Sequence, residues 1–182
     1  RLIGNGHVRP AIIVAVWNTP RRLQEYMPRK AIQGESFIPT PGDPPFPTAE
    51  IVADDYLAFL ATELKPFIDA LYRTLKGPSD TFVMGSSMGG LISLYAIARY
   101  PEVFGGVGAV STHWPVCGGC MVDWFGAHLP DARTHRLYFD HGTVGIDARY
   151  APHQARMDAA LRDAGYVESR QWLTRGFEGA EH

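Results

Sequence analysis

Two cysteines in 182 residues are too few for a disulfide framework. Set together as Cys117-Gly118-Gly119-Cys120, they are also too few for a zinc site built from cysteine alone. In an oxidising compartment the pair suits a loop disulfide. Long apolar runs are missing too. None approaches the roughly 18–20 residues that span a bilayer, so no membrane span is expected. Net charge is only −2, which leaves no basic footprint for nucleic acid or an anionic membrane surface. No leader-like segment is present, in a chain that opens on Arg1 rather than methionine, and location is left open. What is there is ordinary globular material. With 46% hydrophobic and 20% charged residues, the length fits one domain over residues 1–182 with a sizeable core.

The most informative stretch is Thr81 to Ile92. A short apolar run ends in Gly85-Ser86-Ser87-Met88-Gly89, and apolar residues then recur at Met88, Leu91, Ile92, Tyr95 and Ala96. The pattern is strand, sharp turn, helix, with Ser87 at the centre of a Gly-x-Ser-x-Gly nucleophile elbow. Such a turn lifts the serine hydroxyl clear of the sheet. Its glycines let neighbouring backbone pass without a Cβ clash, and the helix N-terminus favours negative charge developing beside it. The plainer reading is a Gly/Ser turn that packs a helix on a sheet.

Around this stretch the chain alternates strands and helices. Ala11–Trp17, continuous and β-branched, predicts a strand buried on both faces. Asn18 to Pro47, with six prolines between Pro28 and Pro47, predicts a long surface excursion. Thr48 to Lys76 predicts a helix capped by Thr48, with Val52, Tyr56, Phe59, Leu60, Leu64, Phe67, Ile68, Leu71 and Tyr72 on its apolar face and a break or kink at Pro66. After the elbow helix, which stops near Tyr100-Pro101, come a strand at Phe104–Val110, a cysteine-bearing loop to about Pro130 and a strand at Arg136–Phe139. A helix at Pro152–Ala164, with Gly165 just past its end, precedes a last strand at Glu168–Thr174. The fold class is α/β, with a mostly parallel sheet and flanking helices.

A serine nucleophile needs a base, and the base needs an acid to orient it. In the α/β-hydrolase arrangement these follow in the order serine, acid, histidine. Of seven histidines, only His182 lies in a loop after the last strand. His7 precedes the serine, His113 and His128 precede any acid in the next strand-end loop, and His135 precedes that strand. His141 lies between the two acid candidates, and His153 sits inside a helix. Those candidates are Asp140, at the strand edge, and Asp147, in the loop beyond. A strand-edge aspartate often ties down a turn and an aspartate before a helix often caps it; Asp147 is favoured as the acid, with Asp140 second. The Met88 amide supplies one oxyanion donor. Counting Ala11–Trp17 as the fourth strand of such a fold places the second donor and the N-terminal strands before Arg1. A final helix is expected beyond His182. Arg21 and Arg22, past a strand's C-terminal end, suit an anionic or catecholate-bearing substrate. Trp114, on the same rim, suits the wall of an acyl or aromatic pocket. Solvated arginines and plain loop packing are the alternatives.

Several runs taken together resemble one family, the putative esterases, which includes enterochelin esterases, feruloyl and acetyl-xylan type carbohydrate esterases and S-formylglutathione hydrolases. They are Ile12–Thr19 with Arg21-Arg22, Glu25-Tyr26-Met27-Pro28, the elbow through Tyr95, Tyr100–Gly105, Asp140-His141-Gly142-Thr143 and Gly179-Ala180-Glu181-His182. The resemblance implies an α/β-hydrolase fold, with Ser87 as nucleophile, His182 as base and an aspartate in the Asp140–Asp147 loop. It implies a small-molecule ester substrate and neither metal nor organic cofactor. The elbow continues as Leu91-Ile92-Ser93 and not as the Gly-His-Gly-Ala type associated with glutathione thioesters. The expected activity is ester hydrolysis through an acyl-enzyme. A non-catalytic ligand-binding module and an acyltransferase are the alternatives.

Overall fold

The computed structural model of the chain describes residues 3–32 and 50–182. Four parallel strands are hydrogen-bonded in chain order: β1 (Phe82–Ser86), β2 (Gly106–Val110), β3 (Arg136–Gly142) and β4 (Trp172–Phe177). Between them run α4 (Met88–Arg99), α5 (Cys120–Ala127) and α6 (Ala151–Asp163). When strand order follows chain order, right-handed crossovers bring every connecting helix to one face of the sheet. Burial follows that rule. Val107, Ala109, Leu137, Phe139 and Trp172 are buried with Leu91, Leu94, Met121, Met157 and Leu161 in one core. On the opposite face of β1, Phe82 and Met84 are 60% and 72% exposed. The register aligns Ser86 with Val110, and Val110 with Asp140. The loops leaving β1, β2 and β3 therefore start at one rim. This is the mixed α/β, parallel-sheet class read from the sequence.

Several elements depart from expectation. Ala11–Trp17 forms no strand, and Ile13 and Trp17 are each 91% exposed. A strand needs backbone partners, and among the described residues the sheet ends at β1, so this run has no neighbouring strand to pair with. The stretch after it is less of a surface excursion than its prolines suggest. Residues Arg22–Tyr26 form α1, a short 3₁₀ turn follows at Arg29–Ala31, and Tyr26, Met27 and Ala31 join the core. The remaining prolines, Pro39 to Pro47, and the Thr48 cap lie outside the described residues.

The long helix is shorter than expected and Pro66 does not break it. Ala53–Ala58 (α2) continues through a wide π-helical stretch at Phe59–Leu64 into Lys65–Leu71 (α3). A proline lacks the N–H for its ladder position and crowds the carbonyl four residues back. The widened turns just ahead of Pro66 absorb both defects. Its apolar face is buried only at the start; Phe67, Leu71 and Tyr72 are exposed. The cysteine-bearing loop contains a helix the sequence reading missed, α5, signalled by Met121, Val122 and Phe125 at helical spacing. Cys117 and Cys120 are joined as a disulfide that closes onto its first residue. β4 starts later than expected because Val167 to Gln171 is a tight turn, with Ser169 at φ 62°. Among the described residues no helix is long and apolar enough to cross a membrane.

Candidate active site

Ser87 joins β1 to α4 with φ 60° and ψ −121°, a conformation that costs a non-glycine residue about 1–3 kcal/mol. The backbone around it is held on all sides. The Ser87 N–H donates to Val110 O at 2.9 Å, and the Ser87 carbonyl accepts from Gly90, Leu91 and His113 at 2.9, 3.4 and 3.3 Å. A serine at a helix N-cap ordinarily turns its hydroxyl onto the first amides. Ser87 holds that position and makes no side-chain cap bond. Met88, buried, begins the helix, so its amide is among the four that have no acceptor within the helix.

Only one of the two motif glycines is crowded. A Cβ on Gly85 would run into the backbone of Gly89, whereas a Cβ on Gly89 would meet nothing within 4 Å. The second tight position is Gly90, where a Cβ would lie 2.6 Å from Thr112 Oγ1.

The acid and the histidine are assembled by loops from β3 and β4. After β3, a 3₁₀ turn at Gly145–Arg149 carries Asp147 inward until it is fully buried. After β4, the chain folds back over that loop. Thr143 and Val144 donate their N–H groups to Ala180 O at 3.0 and 3.2 Å, and Gly179 N–H donates to Thr143 Oγ1 at 2.8 Å. The approach is so close that a Cβ on Gly142 would strike the Ala180 carbonyl. His182 is thereby delivered to Asp147, with Nδ1 2.6 Å from Oδ1 and the histidine side chain 27% exposed.

Burial alone would push the Asp147 carboxyl up. The Gly142 N–H at 2.8 Å, the Ser111 hydroxyl at 2.7 Å and His182 outweigh it and hold the group below its ordinary value. An ionised carboxylate only accepts, so the proton in this contact belongs to His182 Nδ1. The Tyr150 ring stands edge-on to the His182 ring, 5.8 Å between centroids. Its hydroxyl is hydrogen-bonded to His113 Nδ1 at 2.8 Å, and the His113 backbone reaches Ser87.

The other expected residues are sorted differently. Asp140 accepts from the Ser111 N–H at 3.1 Å and from the Tyr138 hydroxyl at 2.9 Å, a turn-fixing role. Trp114 is not on the rim. It is 1% exposed, packed against Phe125 and Phe139, with Nε1 donating to Gln154 at 3.0 Å; the chain turns inward after Ser111 and takes the indole into the core. Arg21 points to Glu50, an exposed pair at 3.4 Å. Arg22 stays near the elbow, Nη2 3.5 Å from Ser86 O and the guanidinium 5.3 Å above the Tyr26 ring. Ser111, Tyr150 and His113 were not singled out as site residues from sequence. The one local signal was the run Ser111-Thr112-His113 directly after a strand. Among the described residues, no cluster of His, Cys, Asp and Glu side chains could hold a metal ion.

This geometry can be set beside known proteins. The family model described as Putative esterase matches residues 38–175. The chain belongs to the Putative esterase family. Among solved structures, this putative esterase is similar to the enterochelin esterase from Shigella flexneri, at 21% identity and a TM-score of 0.68, over 98% of this chain and 40% of that one. It is also similar to the siderophore hydrolase EstA from Aspergillus nidulans, at 20% identity and a TM-score of 0.64, over 94% and 63% of the two chains. Identities this low speak for the fold, which is that of α/β-hydrolase-like esterases. A curated relative, the uncharacterized protein YbbA of Bacillus subtilis (strain 168), is 35% identical over 60 residues, 32% of this chain and 24% of that protein. The putative esterase chain thus spans about a quarter of that relative's length and two-fifths of the enterochelin esterase's.

Proposed function

We propose that the protein hydrolyses a carboxylic ester through an acyl-enzyme, with Ser87 as nucleophile, His182 as base and Asp147 orienting the base. The observation that carries this is Ser87 itself, a serine held in strained backbone at a helix start, whose hydroxyl does not cap the helix it begins. A turn that only packed a helix on a sheet would gain by letting that hydroxyl cap.

The steps are those of a serine, a histidine and an aspartate acting in sequence. His182 Nε2 takes the Ser87 proton as Oγ attacks the ester carbonyl carbon, and the carbonyl π pair moves onto oxygen. The Met88 N–H donates to that oxyanion at the positive end of α4. Collapse expels the alcohol, which receives its proton from His182. Water then enters by the same base and releases the acid. Arg22, steadied over Tyr26 beside the elbow, favours a substrate with an anionic or catecholate-bearing part. The likeness to an enterochelin esterase and a siderophore hydrolase supports a siderophore-type ester as that substrate. Arg21, engaged with Glu50, is left out of this role.

The test is turnover of short p-nitrophenyl esters together with labelling by a fluorophosphonate. Wild type should label at Ser87, and Ser87→Ala should lose both signals. Unchanged turnover in Ser87→Ala would assign the chemistry elsewhere.

A further inference from the structure

We infer that Ser111 is a positioning residue for this site: its hydroxyl aims the Asp147 carboxylate so that one oxygen is kept for His182. The inference rests on the reading of Asp147 and His182 just given. A buried carboxylate has two oxygens to satisfy and nothing to donate. Oδ2 takes the Ser111 O–H at 2.7 Å and the Gly142 N–H at 2.8 Å, leaving Oδ1 for the His182 N–H at 2.6 Å. Without the hydroxyl, Oδ2 keeps one donor and the carboxylate can turn about its last bond.

Ser111 is itself held against its preference. Its φ is 39°, in the left-handed region that non-glycine residues avoid. Its N–H is shared between Asp140 O at 3.0 Å and Asp140 Oδ1 at 3.1 Å, and Asp140 Oδ2 in turn accepts from Tyr138. Backbone strain of this kind persists only where the surroundings over-determine it. Here it fixes the direction of one hydroxyl. Asp140, the second acid of the sequence reading, thus acts through Ser111, in a line that runs Tyr138, Asp140, Ser111, Asp147, His182.

The test separates hydroxyl from backbone. Ser111→Ala removes the hydroxyl and keeps the strain; Ser111→Gly removes both. Steady-state hydrolysis of a p-nitrophenyl ester is followed from about pH 5 to about pH 9, across the range where a histidine base titrates. Both variants should lower kcat about tenfold with KM unchanged, the loss of one hydrogen bond to a charged group. Both should also move the acid limb of kcat/KM to higher pH, because a carboxylate that has lost a donor holds the imidazolium more tightly.

The other groups facing the pair are the same in both variants. Tyr150 lies against His182 and is hydrogen-bonded to His113, and Glu181 precedes His182 in the chain. His141 bonds to Gly142 O, and Asp140, Tyr138 and Arg175 lie along the strand ends. Ser111→Gly, freed of strain, should melt no lower than Ser111→Ala, so a folding defect cannot account for equal losses. A Ser111→Gly protein with wild-type kcat and an unmoved acid limb overturns the inference, because the residue then supplies only a turn. His182→Ala and Asp147→Asn are run beside it. If both abolish turnover while the Ser111 variants run at the wild-type rate, this inference alone fails. If both leave turnover intact, the catalytic reading fails with it.

Discussion

Helix α4 and the composite helix at residues 53–71 carry comparable apolar spacing and meet opposite fates. In α4, the ten consecutive residues from Met88 to Ile97 are all buried, between the sheet on one side and α1 and α5 on the others. In the composite helix only Ala53, Leu57 and Ala61 are buried, and its second half leaves Phe67 and Leu71 58% and 60% exposed. The difference teaches what a periodic pattern specifies. It says which side chains share a face, and it says nothing about whether a partner lies opposite. The same holds between strands. β2 and β3 are flanked on both sides, while β1, with exposed Phe82 and Met84, has among the described residues a neighbour only at β2. The candidate site stands at the border of these two regions: Ser87 leaves the exposed edge strand β1 and opens the buried helix α4, while Asp147 is buried in the loop after β3.

That comparison can be sharpened by substitution, the largest effect first. Asp147→Asn should lower kcat by about 10⁴-fold, the size expected when an amide replaces a carboxylate that sets a histidine tautomer. Ester turnover measures it, and a loss of less than about tenfold would break the reading of the buried Asp147 as the group that orients His182. Gly142→Ala comes next. Its methyl group must displace the Ala180 carbonyl and, with it, the segment that carries His182. Misplacement by about 1 Å costs on the order of 10²-fold, read as kcat/KM.

Stability should divide along the same border. Leu91→Ala, in the fully buried face of α4, should cost about 2–5 kcal/mol in denaturant unfolding. Leu71→Ala should change stability by no more than about 0.5 kcal/mol. Equal losses would mean that the outer flank is covered in solution. The smallest effect concerns pH. Because the folded-state pKa of Asp147 is lowered, its contribution is full above the ordinary carboxylate value of about 4 and is lost as pH falls through the lowered value. Denaturation midpoints measured through that acid range should fall more steeply for wild type than for Asp147→Asn.

What was legible in the sequence follows the range of the interactions. The elbow is local, since strand, turn and helix lie within a dozen residues, and it reads directly. The pairing of Asp147 with His182 spans 35 residues and was reached through the chain order of a serine, an acid and a histidine, with the family resemblance beside it. The Ser111 bond to Asp147 spans 36 residues and has no order rule to point to it. Trp114 misleads because its position after a strand predicts the rim, while the turn that takes it inward depends on Ser111 at positive φ. Ala11–Trp17 misleads for a different reason. Its composition is that of an inner strand, but strand formation is a property of two segments, and among the described residues no second one flanks it. Helix α5 was hidden by the glycines ahead of it, Gly118 and Gly119, both at positive φ and both ending before the helix begins.

The single carbonyl of Ala180, which accepts from both Thr143 and Val144, makes the arrival of His182 a clocked event. Among the described residues neither amide has another partner in the turn, so whenever the loop after β4 lifts, both are released to solvent together. Their hydrogen–deuterium exchange should therefore proceed at one common opening free energy, below that of the β2 and β3 amides. Exchange at these two positions reads how often the histidine is out of place without any substrate being present. A variant that slows turnover by loosening the loop will quicken both amides in step, and one that alters only the chemistry will leave them unchanged.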